Sequence, residues 1–214
     1  MRSRKKTYTE GVMQNNIYIV KNPTENRGKW QEIFKNKNPI HLEIGTGKGN
    51  FIRSIAEENQ NINFIGIEKE KEIISMAAKI LENTECKNVF LINSSAQKII
   101  EIFEDGEVEK IYLNFSDPWP KSGHIKRRLT YSSFLEIYKK ILYNNGEIEF
   151  KTDNKFLFNF SLKEFEKNNF ELKYVSRNLH EDIFHTSGQN IVTEYEDKFS
   201  NMGFPIFRIV ARKI

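Results

Sequence analysis

From residue 40 onward, short apolar runs alternate with longer stretches whose apolar residues recur every three or four positions. The runs 40–44, 64–67, 89–92, 110–115 and 147–151 predict strands, and 170–176 and 205–212 predict two more. Between them, 51–58, 70–83, 96–103, 132–142 and 156–167 predict helices; in the second of these, Ile73, Ile74, Ala77, Ile80 and Leu81 share one face. Regular strand–helix alternation implies an α/β fold with a mostly parallel seven-stranded sheet and helices on both faces. Residues 1–38 are polar apart from short apolar pieces at 17–20 and 30–34. They predict a basic N-terminal tail and a short packing helix at 29–34, followed by a single domain over 39–214.

Composition narrows the class. A chain of 214 residues, 38% hydrophobic and 29% charged, suits one soluble domain with a substantial core. No apolar run has the length of a membrane span, and the N-terminus lacks the apolar segment of a signal peptide, so no membrane partner and a cytoplasmic location are expected. One cysteine, Cys86, leaves no disulfide framework or multi-cysteine metal site, and the spacing of His41, His124, His180 and His185 makes no metal site either. Net charge is only +4, but cations concentrate at Arg2, Arg4, Lys5 and Lys6 and again at Lys121, Lys126, Arg127 and Arg128. Local cationic patches on a nearly balanced chain suit a polyanion docking on one face.

The most informative stretch is Ile40-His41-Leu42-Glu43-Ile44-Gly45-Thr46-Gly47-Lys48-Gly49-Asn50. It reads as a buried strand, a turn built on glycine, and a helix start whose N–H groups face a ligand. The dinucleotide fingerprint is G-x-G-x-x-G; here Gly49 comes one residue early and Glu43 precedes the turn. An acid repels pyrophosphate but attracts the sulfonium and ammonium of S-adenosylmethionine, so the methyl donor fits better than a dinucleotide. Glu68 ends the next strand about twenty residues on, where a carboxylate meets ribose hydroxyls. Ligands of such sheets sit beyond the strands' carboxyl ends, which adds Asn93 to Ser95, Ser116-Asp117 and Thr152-Asp153 to the candidates.

The second informative stretch runs from Phe115 to Thr130. Pro118 and Pro120 bracket Trp119 and stiffen the backbone behind Asp117. Lys121, Lys126, Arg127 and Arg128 follow, suited to phosphate contacts. Acid, aromatic and basic run together suggest a base held near a cofactor while its backbone is clamped.

These segments, with Lys151-Thr152-Asp153-Asn154 and Thr193-Glu194-Tyr195-Glu196, resemble the bacterial tRNA (guanine-N7)-methyltransferases from about residue 20 to the end. The resemblance implies a Rossmann-like fold, S-adenosylmethionine as cofactor, and tRNA as partner, methylated at guanine 46 of the variable loop. It implies cofactor contacts at Glu43, Gly45, Gly47, Glu68, Ser95 and Asp117, the last also catalytic. It implies substrate contacts at Lys121, Asp153, Thr193, Glu194, Tyr195 and Glu196. Lys126, Arg127 and Arg128 are expected on tRNA phosphates. Two positions depart from the family pattern: Ser95 stands where Asn or Asp is usual, and Gly123 where a basic residue is usual. The assembly expected is a monomer or homodimer.

Guanine N7 carries a lone pair and no proton, so methylation there needs positioning rather than a general base. A carboxylate such as Asp117 or Asp153 would stabilise positive charge arriving on the ring. Glu196 is the candidate reader of guanine's N1–H and N2 amine. An amino-methyltransferase acting on adenine or cytosine is the competing enzyme, since Asp117-Pro118-Trp119 approximates its strand-end motif. A non-catalytic RNA-binding module is the competing non-enzyme.

Overall fold

The computed structural model describes residues 2–182, 196 and 202–214. It divides into two compact units, Met1–Glu104 and Asp105–Ile214, so the boundary expected at residue 38 falls inside the first unit.

The first unit begins with α1 (Arg2–Asn15), where a basic N-terminal tail was expected. This helix packs against α4 (Lys71–Leu81) and buries Val12 and Thr9. Residues 18–20 then lie along β3 (Val89–Asn93): the Leu91 N–H donates to the Tyr18 carbonyl at 2.7 Å and the Val20 N–H to the Leu91 carbonyl at 2.9 Å. That covers a strand edge that would otherwise present unpaired backbone groups. The expected short helix is α2 (Trp30–Phe34), anchored by fully buried Trp30, whose indole N–H donates to the Ile102 carbonyl at 3.1 Å.

β1 (Ile40–Ile44) and β2 (Asn63–Glu68) are buried along their whole length, as parallel strands covered on both faces must be. β1 pairs with β2, and β2 with β3, in parallel, in a register that sets Ile44 beside Ile67 and Glu68 beside Asn93. α3 (Asn50–Glu58) buries Phe51, Ile52, Ile55 and Ala56, one helical stripe. The helix expected over 96–103 is a 3-10 turn, Ala96–Lys98, running into the short α5 (Ile99–Ile102).

The second unit contains β4 (Val108–Asn114), a 3-10 helix (Ser122–Arg127), α6 (Ser132–Ile141), β5 (Leu142–Thr152), α7 (Lys155–Lys167), β6 (Phe170–Ser176) and β7 (Phe207–Lys213). β4 and β5 are parallel, whereas β7 is antiparallel to both β5 and β6. β5 starts five residues before the expected 147, because α6 passes directly into it through a register shift opposite Val108 and Lys110. Asn154 caps α7, its side chain accepting from the Leu157 N–H at 2.9 Å. The seven-stranded sheet is mostly parallel, as expected, with strand order β3-β2-β1 in the first unit and β4-β5-β7-β6 in the second.

Candidate active site

In the first unit, three polar positions gather at the carboxyl ends of adjacent strands. Glu43 is 4% exposed, inside β1, and its carboxylate accepts the Thr46 hydroxyl at 2.5 Å. Thr46 was not singled out in the sequence, yet it turns the Glu43 carboxylate toward the loop. The loop is fixed from the neighbouring strand, since the N–H groups of Gly45 and Thr46 both donate to the Ile67 carbonyl, at 2.8 and 3.0 Å. Gly45, Gly47 and Gly49 have φ of 82°, 57° and 83°, the left-handed region that favours glycine. A Cβ on Gly49 would stand 2.7 Å from the Ala77 Cβ, so the early third glycine serves close packing of the loop on α4.

Glu68 ends β2 with both carboxylate oxygens oriented by backbone donors. Oε2 accepts from the Gly47 N–H at 3.3 Å and Oε1 from the Glu70 N–H at 3.0 Å. Each oxygen keeps a second lone pair for a ligand hydroxyl. Beyond β3, the Asn93 amide donates to the carbonyls of Glu68 and Lys69, both at 2.9 Å, and Ser95 stands half-buried before the 3-10 turn. The first unit therefore brings together Glu43, Gly45, Gly47, Glu68 and Ser95 at one strand-end rim.

In the second unit the Asp117 segment leaves β4 through a strained turn. Phe115 and Trp119 have φ of 48° and 40°, values that cost bulky residues about 1–3 kcal/mol each unless neighbours enforce them. The Phe115 N–H donates to the Lys151 carbonyl at 2.9 Å, tying this turn to the end of β5, where Asp153 is half-buried. Asp117, Lys121, Lys126 and Arg127 are exposed. The Arg127 guanidinium lies over the Trp119 ring at 4.9 Å, and His124 meets the same indole edge-on at 5.4 Å.

Two expectations are corrected here. Arg128, expected on a phosphate, is 1% exposed; its Nε donates to the Pro118 carbonyl at 3.0 Å and Nη2 to the Trp119 carbonyl at 2.9 Å. A guanidinium facing inward between carbonyls is not presented to RNA. Glu196, expected to read the guanine edge, is fully buried, with Oε2 3.1 Å from the Lys151 ammonium and Oε1 3.7 Å from His180 Nε2. Its carboxylate serves a buried ion pair. Thr193, Glu194 and Tyr195, like His185, lie outside the described residues.

One face of β5 carries further charges that were not among the sequence candidates. Glu149 is held by Lys110 at 2.7 Å and Arg208 at 3.0 Å, and Lys151 lies opposite Arg208 in the β5–β7 register. Burial would raise the Glu149 carboxyl; Lys110, Arg208 and Lys151 together outweigh it and hold the group at about 2. The signal was present in Glu147, Glu149 and Lys151, which alternate with apolar Ile148 and Phe150. Charges on one strand face at period two need partners across the sheet.

A model of the family described as "Putative methyltransferase" matches residues 37–209. The tRNA (guanine-N(7)-)-methyltransferase of Bacillus subtilis (strain 168) is 48% identical over 209 residues, 97% of each chain. The chain belongs to this methyltransferase family. Another family member so named, from Geobacillus sp. (strain WCH70), is 49% identical over 210 residues, 97% of this chain and 94% of its own. Among solved structures, "Structure of an antibiotic related Methyltransferase" superposes with a TM-score of 0.64 at 20% identity, over 86% of this chain and 93% of that one. A SAM-dependent methyltransferase from Aquifex aeolicus gives 0.58 at 14% identity, over 96% and 98%. At such identities the likeness shows the fold alone, a Rossmann-like methyltransferase sheet. Family membership and this fold agree with the strand-end rim as the place to look for chemistry.

Proposed function

We propose that this protein transfers a methyl group from S-adenosylmethionine to N7 of a guanine in tRNA, position 46 of the variable loop. The observation that carries the reading is the buried Glu43 carboxylate at the end of β1, turned toward the glycine loop by Thr46 and neighboured by the oriented carboxylate of Glu68. This donor set fits the methyl donor: an acid for a cationic amino acid portion, a second acid for ribose hydroxyls, and a backbone loop without Cβ atoms between them. When bound, S-adenosylmethionine supplies an electrophilic methyl group on a positively charged sulfur.

The chain's own residues do the rest by placement. Guanine N7 has no proton to lose, so no general base is required. Asp117 is assigned to the cofactor and to the positive charge that develops on the purine. Lys121 and Asp153 hold the substrate, together with Thr193, Glu194 and Tyr195, while Lys126 and Arg127 meet tRNA phosphates. The Glu196 carboxylate pairs with Lys151 instead of reading the base. The competing amino-methyltransferase reading needs free carbonyls after the acid to accept from an exocyclic amine. Here the Pro118 and Trp119 carbonyls are turned toward the buried Arg128 guanidinium, which disfavours it. We place the reaction in the cytoplasm and take the working assembly as a monomer or homodimer, which light scattering distinguishes.

Incubation with tRNA and a methyl-labelled donor, followed by nucleoside analysis, tests the reading. Label in 7-methylguanosine is expected; label in N6-methyladenosine or a methylcytidine would transfer the assignment to the amino-methyltransferase class.

A further inference from the structure

The two adjacent arginines of the basic run point to different tasks. Arg127 is exposed and stacks on the indole of Trp119, whereas Arg128 is buried beneath the same loop. The Arg128 guanidinium lies over the rings of Phe160 at 4.4 Å and Phe156 at 4.8 Å, both on α7. Its planar fork reaches two successive carbonyls, those of Pro118 and Trp119. Those carbonyls belong to the segment between Asp117 and Pro120, flanked by the left-handed Phe115 and Trp119. An Asp-Pro-Trp-Pro sequence is stiff but does not select this conformation by itself, since proline fixes φ only at its own position. The selection comes from the fork, and the fork is held by two aromatic faces.

We propose that Arg128 is a positioning residue for methyl transfer: it locks the Pro118–Trp119 backbone, and so fixes where Asp117 and the Trp119 ring are presented. Lysine cannot replace it, because one ammonium lacks the rigid two-donor geometry and stacks poorly on the rings. This rests on the methyl-transfer reading, so one measurement must be independent of turnover. The chain has two tryptophans, Trp30 and Trp119, and Trp30 is fully buried. Acrylamide quenching of tryptophan fluorescence therefore reports on Trp119.

The experiment compares Arg128→Lys and Phe156→Leu with the unaltered full chain. For Arg128→Lys, kcat should fall by roughly 10- to 100-fold, the penalty of a displaced reacting group, with KM for tRNA changed less than about 3-fold. Trp119 should become more quenchable, and acrylamide should still spare Trp30. Phe156 is 55% exposed, so its replacement should leave the fold intact and produce the same two changes at smaller size. Should Arg128→Lys fail to fold, Phe156→Leu decides alone. Unchanged quenching in the folded variants overturns the proposal whatever the activity does. A fall in kcat that merely tracks the fraction of folded protein overturns it too. Altered quenching in a protein that methylates nothing, before or after substitution, would retain the clamp and discard the methyl-transfer reading.

Discussion

Glu43 and Glu149 are both buried acids, the first proposed above to meet the methyl donor and the second enclosed by cations. Glu43 lies at the end of β1, where the Thr46 hydroxyl turns its carboxylate toward the glycine loop. Replacing Glu43 with Gln keeps the shape and the Thr46 contact but removes the charge. Affinity for S-adenosylmethionine, read by calorimetry, should fall roughly 10- to 100-fold, the worth of a charge-assisted contact, while tRNA affinity holds. An unchanged titration would remove Glu43 from the site. Glu149, by contrast, is saturated by Lys110 and Arg208. Glu149→Gln would leave those cations facing a neutral amide and should cost about 3 kcal/mol in denaturant unfolding. Its carboxyl lies at about 2 when folded, below its ordinary value of 4.5. The folded state therefore binds the proton more weakly than the unfolded chain. The stabilisation is complete above about pH 4.5 and is lost as pH falls toward 2. Across that window, denaturation midpoints should fall less steeply for Glu149→Gln than for the unaltered protein.

At the scale of elements, the glycine loop and α4 form one packed unit. Gly49→Ala adds a Cβ 2.7 Å from that of Ala77 at a residue with φ of 83°, combining backbone strain with overpacking. A loss of about 3 kcal/mol is expected, measured by urea unfolding. In a double-mutant cycle with Ala77→Gly, a favourable coupling should appear, because only the steric part is relieved. No coupling would mean that strain at residue 49 alone sets the cost. This loop was legible because its glycines, its acid and its strand lie in one continuous stretch. The strands and α3, α4, α6 and α7 were legible for a related reason: each buries a local apolar pattern. α1 was not, since among its described side chains Val12 is the one buried apolar residue, and the helix packs against α4, a contact that no local pattern announces. The early start of β5 was hidden in the same way, because Tyr143-Asn144-Asn145-Gly146 reads as a turn. Glu147 to Thr152 nevertheless pair with β7, and the strand is carried back to Leu142 through left-handed Asn145. Arg128 and Glu196 show the converse limit. Residue type and neighbours suggested phosphate and base, but only burial reveals that both charges are spent inside the protein.

For the molecule as a whole, a net charge of +4 over 214 residues makes uniform attraction to RNA weak, so binding must come from where the cations sit. In the second unit Lys121, Lys126 and Arg127 are exposed around the Trp119 loop, Arg128 is withdrawn, and Gly123 contributes no charge. Counterion release turns this census into a slope. Each phosphate neutralised contributes about 0.9 to the dependence of log affinity on log salt for duplex, and about 0.7 for single strands. Replacing Lys121, Lys126 and Arg127 together with Ala should therefore lower the slope for tRNA by about 2 to 3, and weaken binding most at low salt. Arg128→Met should leave the slope within about 0.3 of the original, although it disturbs the loop, because that guanidinium displaces no counterion. Fluorescence titrations of tRNA from low to moderate salt measure both. If the triple variant keeps the original slope, these three cations are solvated, and the polyanion-binding face must be sought at another cationic cluster. If Arg128→Met lowers the slope by a full phosphate contact, the buried guanidinium turns outward in the complex, and its place under the loop belongs to the free protein alone.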